Sequence, residues 1–367
     1  MSSDLKQQKE LLSPPGDTIQ ETIDTIGMSQ AELAERIGRP KEKLNDIIKG
    51  REPITLKTAI LLERVLGIPI TFWMARENEY RMELAKIEQQ EFLESCFGWL
   101  EKFPVWELKK MQCLPDTINK ALLADSLLKF FGIATPRQWE DIYLNEAIGA
   151  AFKISLANTQ SPYAISAWIR IGEHKSLTMK LPEFDKTSFT HALDEIKALV
   201  IHQPEDFKNK LQEICSLCGV AVLFTPCLPK APISGATWWK GKNPIIQLSG
   251  RYRTNDSFWF AFYHEAGHIL KHGKKEIFLE DLQGSPIDEA KEKEANQFAQ
   301  KYLFPRDAYE SLTANMHFND IDFIKYAARF ETHPAIIVGQ LQHSGLIGYQ
   351  QFNQFKVPID LFKIGEA

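Results

Sequence analysis

The chain has 367 residues, 44% of them hydrophobic, 25% charged and 11% aromatic, which excludes collagenous, low-complexity and wholly disordered chains and predicts two or three domains. Its formal net charge of -5 excludes a generally basic, histone-like nucleic-acid binder but leaves room for one small DNA-reading module. No apolar run reaches the roughly 20 residues of a membrane helix, the first residues lack a secretory apolar stretch, and five cysteines make no disulfide framework, so the expectation is a cytoplasmic protein with reduced thiols and no membrane partner.

In chain order, residues 1–16 are polar, end in Ser-Pro-Pro-Gly and predict a flexible arm, with order starting near Asp17. Ser29 and Glu32 then form an S-x-x-E capping box that opens a short helix, and Gly38 closes it. Leu33, Ala34 and Ile37 share one face of that helix, and Leu44, Ile47 and Ile48 share one face of the next. Only Gly38 to Pro40 separate the two stripes, which is helix-turn-helix spacing. Gly50 ends the second helix, Thr55 caps a third that runs to Gly67, and Thr71 opens a longer one to about Gln90. A helix-turn-helix reads DNA by laying its second helix in the major groove, and the solvent face here offers Lys41, Glu42, Lys43, Asn45 and Lys49. Ten Lys/Arg against eight Asp/Glu between Met28 and Arg81 leave the segment only weakly basic, and such helical bundles also serve as protein-interaction units.

The runs SQAELAERIG, KLNDIIKGREPIT and ILLERVLG, followed by FW, resemble the Xre-type, HigA-like helix-turn-helix domain. The resemblance implies a double-stranded DNA operator as partner and assigns Gln30, at the start of the first of the paired helices, to the phosphate backbone. RPKEKLN departs from the commoner VSRKTIS, so Lys41, Glu42 and Asn45 are base readers by position alone.

From Glu91 to about residue 205 the periodicity is helical and carries no chemical motif. ALLADSLLKFFG predicts one amphipathic helix ended by Gly132, and SPYAISAWIRIGEH another with Trp168 and Ile171 inward, so this stretch reads as a helical connector. Its aromatics suit either core packing or a small-molecule pocket. Cys215 and Cys218 form a CxxC with Cys227 nearby, but a structural zinc site needs a fourth ligand and none stands at a telling spacing, which favours buried thiols.

After Asp206 come a helix, the strand-like runs VAVLFTP, ISGATWW and NPIIQLS, and then NDSFWFAFYHEAGHILKHG, a helix that Asp256 or Ser257 caps and Gly273 ends. Within HEAGH, His264 and His268 lie one turn apart on one face and can hold one Zn2+. Glu265 stands beside the first ligand, placed to take the proton of a metal-bound water, and Gly267 permits close approach of another element. SPIDEAKEKEANQFAQKYLFP predicts a second helix with Ser285 as cap and Pro286 at its first position, ending before Pro305. A catalytic zinc takes three protein ligands plus water, and a Glu of this helix completes the set. Glu292 and Asn296 share a face, as ligand and as partner of a ligand side chain. Glu294 lies about 200 degrees around the helix from Glu292, while Glu289 is the rival third ligand.

His272 reads as a helix-end histidine, since HExxHxxGxxH would need Gly and His where Lys271 and Lys274 stand. His174, His191, His202, His317, His333 and His343 have no ligand spacing, His343 being the least clear.

FWFAFYHEAGHILKHGKKEIFLED with EKEANQFAQKYLFP, preceded by ISGATWW and followed by VGQLQHSGLIGY, resembles the ImmA/IrrE metallopeptidase family over roughly residues 206–352. The resemblance implies a thermolysin-like zincin, selects Glu292 as third ligand and Asn296 as its helper, and makes Phe304 a variation on the usual Met before Pro305. The expected whole is α+β and mostly helical: arm 1–16, helix-turn-helix domain 17–90, helical connector 91–205, zincin-like domain 206–352 with a small sheet and the HExxH helix, and tail 353–367. The expected function is a DNA-binding transcription regulator with a zinc endopeptidase domain that cleaves a regulatory protein, in a stress, mobile-element or toxin–antitoxin setting, as a homodimer. The alternatives are a non-hydrolytic regulator that senses a ligand or partner, and a HigA-like antitoxin bound to a toxin protein. Glu265 argues for hydrolysis, because metal binding alone does not require it. ISGATWW or NPIIQLS is expected to offer a strand edge to an extended substrate, and a Tyr or His outside the two helices to stabilise the oxyanion.

Overall fold

The structure, a computed structural model, describes residues 3–144, 161–231, 233–251, 253–273, 278–279, 289–314 and 318–362. The chain forms two compact units, Met1–Gly98 with Thr117–Asp125, and Trp99–Asp116 with Ser126–Ala367.

The first unit contains α1 (Ser3–Leu11), α2 (Pro15–Thr25), α3 (Gln30–Arg36), α4 (Lys41–Ile48), α5 (Leu56–Leu66) and α6 (Ile70–Ser95). Side-chain caps start two of these helices: the Ser29 hydroxyl accepts from the Glu32 amide at 3.2 Å, and the Thr55 hydroxyl from the Thr58 amide at 3.3 Å. Both predicted stripes, Leu33, Ala34 and Ile37 on α3 and Leu44, Ile47 and Ile48 on α4, enter one core with Ile19, Ile23, Leu62 and Trp73. The expected N-terminal arm is instead helical. Leu5 of α1 is buried, and Lys9 meets Glu88 of α6 at 3.4 Å. Ser-Pro-Pro-Gly is a helix start: Pro15 takes the first position, where its missing N–H costs nothing. Gly16 packs so tightly on the Ile48 backbone that a Cβ would lie 1.9 Å from the Ile48 carbonyl oxygen.

Next come α7 (Phe97–Leu100), α8 (Val105–Lys110), α9 (Lys120–Phe131), α10 (Pro136–Tyr143), α11 (Pro162–Leu177), α12 (Lys186–His202) and α13 (Phe207–Leu217). In the second unit Trp139 stacks on Tyr163 with centroids 4.4 Å apart, and Phe103 and Phe131 meet Trp139 edge-on, so these aromatics are core packing. Trp168 and Ile171 of α11 point inward as expected. The Trp168 indole donates to the Thr225 carbonyl at 3.1 Å, and the Gln247 amide donates to the Trp168 carbonyl at 2.9 Å. Much of the expected connector is therefore built into the second unit, because the apolar face of α11 needs the sheet to cover it.

The sheet comprises β1 (Ala221–Phe224), β2 (Gly235–Lys240), β3 (Asn243–Leu248) and β4 (Phe278–Leu279) in the order β1-β3-β2-β4. β1 runs parallel to β3, with Ala221 opposite Ile245, while β2 is antiparallel to β3 and to β4. ISGATWW (β2) or NPIIQLS (β3) is expected to supply an open edge. β3 is interior, between β1 and β2, whereas among the described residues β4 pairs with β2 only at Ala236 and Thr237. Against the sheet packs α14 (Asn255–Lys271), followed by α15 (Glu289–Leu303), α16 (Arg306–Thr313), α17 (Asp320–Arg329) and α18 (Pro334–His343).

The expected tail also docks: Ile359 and Leu361 are buried, the Ile359 amide donates to the Arg253 carbonyl at 2.8 Å, and the Val357 amide to the Asn255 side chain at 3.0 Å. Cys215 and Cys218 are buried free thiols and Cys227 is an exposed one. No helix among the described residues is long and apolar enough to cross a membrane.

Candidate metal centre

The α14 helix is buried along nearly its whole length, so its polar groups must find partners inside the protein. It begins at Asn255 with Thr254 as cap, two residues before the Asp256 cap, and three before the Ser257 cap, that the sequence implied. Asp256 is consequently not a cap. It lies inside the first turn, buried, with one oxygen 2.7 Å from the Lys356 ammonium. Ser285 and Pro286, the expected start of the next helix, lie outside the described residues, as do Lys274 and His317.

His264 and His268 project from α14 with their Nε2 atoms 2.9 Å apart. Glu292 of α15 brings Oε2 to 3.2 Å from His264 Nε2 and Oε1 to 3.5 Å from His268 Nε2. Among the described residues these three form the group able to hold a metal, their ligand atoms all lying within 4.8 Å of one another. The helices can approach this closely because Gly267 lacks a side chain: a Cβ there would come within 3.2 Å of Phe298 and 3.3 Å of the Ala295 backbone. Glu289, the rival ligand, sits exposed at the first position of α15.

The other ring nitrogens decide what the site can bind. His264 Nδ1 donates to the Asn296 carbonyl oxygen at 3.0 Å, which leaves a lone pair on its Nε2. His272 is the C-cap of α14, the helix-end histidine expected from the sequence; in addition its Nδ1 lies 3.0 Å from His268 Nδ1 and its Nε2 lies 3.2 Å from Glu294 Oε2. With the Nε2 proton of His272 directed to Glu294, its Nδ1 is an acceptor, so His268 Nδ1 carries a proton and His268 Nε2 is also bare. Glu294 thus points away from Glu292, as the helical geometry required. Burial, with smaller contributions from His264, His272 and Lys291, lowers the His268 pKa to about 2, so that ring is neutral. Two bare nitrogens facing each other beside a carboxylate are an N,N,O donor set, and they fit a divalent cation of the zinc type.

Glu265 is fully buried, and the Thr237 hydroxyl donates to its Oε2 at 2.6 Å. Gly235, two residues earlier on β2, admits the carboxylate, since a Cβ there would sit 2.6 Å from Glu265 Oε1. Neither residue was singled out from the sequence. The available signal was a glycine at the start of a strand, which often marks close approach of another group.

On the first unit Lys41, Glu42 and Lys43 are exposed at the start of α4, Lys49 is exposed just beyond its end, and Asn45 is half-buried. Gln30 opens α3 and donates to the Gln20 side chain at 2.5 Å. Lys43 pairs with Glu52, Arg36 with Glu32 at 2.6 Å and Arg51 with Asp46 at 3.3 Å. Lys41 and Lys49 make no ion pair among the described residues.

Comparison with known families matches residues 20–73 to the helix-turn-helix family and residues 215–338 to the IrrE N-terminal-like domain, a peptidase family. A search of curated proteins gave no match. The chain therefore joins a helix-turn-helix DNA-binding domain to an ImmA/IrrE-type, metallopeptidase-like domain, the composition of a transcription regulator.

Proposed function

We propose that the second unit is a zinc-dependent endopeptidase that cleaves a regulatory protein, joined to a module that binds an operator as a homodimer in the cytoplasm. The convergence of His264, His268 and Glu292 in a buried site carries this reading, because the adjacent Glu265 is anchored in a way a purely structural metal would not require. A zinc ion held by the three ligands would polarise the scissile carbonyl and acidify the attacking water. Glu265 takes that water's proton on its carboxylate and returns it to the nitrogen of the leaving amine. Thr237 fixes the carboxylate by Oε2, while Asn296 and His272 hold the two imidazoles in the tautomer that presents Nε2. On the first unit, α4 lies in the major groove with Lys41, Glu42, Lys43, Asn45 and Lys49 towards the DNA and Gln30 at the phosphate backbone.

The test is incubation of purified protein with the products of neighbouring genes, read by intact mass. Cleavage by the wild type and none by Glu265→Gln carrying equal zinc is the expected result. Zinc bound by both proteins with no cleavage of any product would contradict the peptidase reading and favour a sensor or antitoxin.

A further inference from the structure

A cavity of about 1140 Å³ opens within the second unit and shares no lining residue with the metal centre. Four helices each contribute a lysine to its wall: Lys109 from α8, Lys129 from α9, Lys175 from α11 and Lys208 from α13. Asp116 is the one carboxylate on that wall among the described residues. Lys129 and Lys175 are exposed and Lys109 and Lys208 half-buried, so all four remain open to solvent and to a ligand. Phe130, Ile171, Phe224 and Leu361 make much of the remaining wall apolar. The Lys175 ammonium donates to the Phe224 carbonyl at 2.8 Å and makes no ion pair with a carboxylate among the described residues. Partial burial lowers its pKa, opposed by the Cys113 thiol on the same wall.

Four ammonium groups around one cavity repel one another, and a cleft lined by one sign of charge concentrates ions of the opposite sign. Lysine is a point charge without the planar fork of arginine, so this wall selects for negative charge rather than for one oxyanion shape. The apolar residues between the lysines, and a volume that a bare inorganic ion would leave largely empty, call for an organic body as well. We propose that this cavity is a binding site for a small organic anion that carries two or more negative charges, as phosphate or carboxylate, on an aromatic or apolar body.

The experiment is calorimetry at low salt on the full-length, zinc-loaded protein. The anionic probes are ADP and benzene-1,3-dicarboxylate, their uncharged counterparts are adenosine and benzene-1,3-dicarboxamide, and inorganic phosphate is the anion without a body. At least one anionic probe should bind about tenfold or more tighter than both its uncharged counterpart and phosphate. Lys175→Gln and Lys109→Gln, which remove charge from the wall, should each weaken that binding about tenfold at unchanged helical content. The bound probe should also slow alkylation of Cys113, read by peptide mass, because that thiol lies on the same wall. Failure of both anionic probes to bind the wild type would overturn the proposal, as would equal binding of the uncharged counterpart or of phosphate. Binding that survives both substitutions, that leaves Cys113 alkylation unchanged, or that is lost in Glu292→Gln would place the probe elsewhere or on the metal centre, and would overturn it equally.

Discussion

The tautomers of the paired histidines are set by neighbours that do not touch the metal position. Asn296 Oδ1 accepts a hydrogen bond from His264 Nδ1, and His272 Nδ1, oriented by Glu294, accepts one from His268 Nδ1, so both Nε2 atoms present a lone pair. Replacing such partners weakens metal affinity about 10- to 100-fold, and competition with a chromophoric chelator should show losses of that size for both Asn296→Ala and His272→Phe. A His272→Phe protein that binds zinc like the wild type would show that His272 merely fills the helix end. Gly235→Ala should cost about 1–3 kcal/mol in thermal unfolding, because the new Cβ collides with the Glu265 carboxylate. At this scale helical periodicity made legible that His264 shares a face with His268 and Glu292 with Asn296, whereas the choice of Glu292 over Glu289 came from the family resemblance. Thr237 and Gly235 were not legible, because their meaning depends on how a strand packs beneath a helix far away in sequence. His272 ends α14 as read, and what the sequence did not show is that, off the ligand face, it still reaches the back of a ligand ring.

Helix ends account for most of what was readable at the scale of elements. Ser29 and Thr55 cap as their sequence context requires, and Thr55→Ala should lower the stability of the first unit by about 1 kcal/mol, measured by chemical denaturation. His333 is a cap that the sequence did not announce: its Nδ1 accepts from the Ala335 amide at 3.1 Å and lies 3.2 Å from the Asn255 amide nitrogen. That bond needs the neutral ring, and burial lowers the His333 pKa, with Asp256 opposing the shift. A base whose folded pKa is depressed contributes stability that is complete above its unfolded value near 6.5 and is lost as pH falls below it. Unfolding of the second unit should therefore become easier below about pH 6.5, and His333→Asn, which keeps an accepting cap, should flatten that dependence. The arm and the tail were misread for different reasons. The arm is mostly polar and is held by one buried side chain, Leu5, whereas the tail carries a short alternating run, Val357, Ile359 and Leu361, too brief to identify an element until Ile359 and Leu361 are seen buried.

For the molecule as a whole, the mostly helical α+β class and the two functional modules were legible because each carries its own motif. The boundaries were less so, since α11 reads as a free amphipathic helix until the sheet it covers is seen. The first unit commits several of its basic side chains to acids on the same surface, so DNA affinity should rest on few phosphate contacts. Lys41→Ala and Lys49→Ala should each reduce the slope of log K against log salt by about 1 in operator titrations, and an unchanged slope would remove those residues from the interface.

The metal site is the claim on which the rest depends, and metal content by elemental analysis tests it most directly. Close to one zinc per chain is expected in the wild type and in Glu265→Gln, with loss of bound zinc in His264→Ala and in Glu292→Ala at unchanged helical content. No zinc in the wild type after refolding with excess metal, or equal zinc in all four proteins, would contradict the assignment of His264, His268 and Glu292 as its ligands.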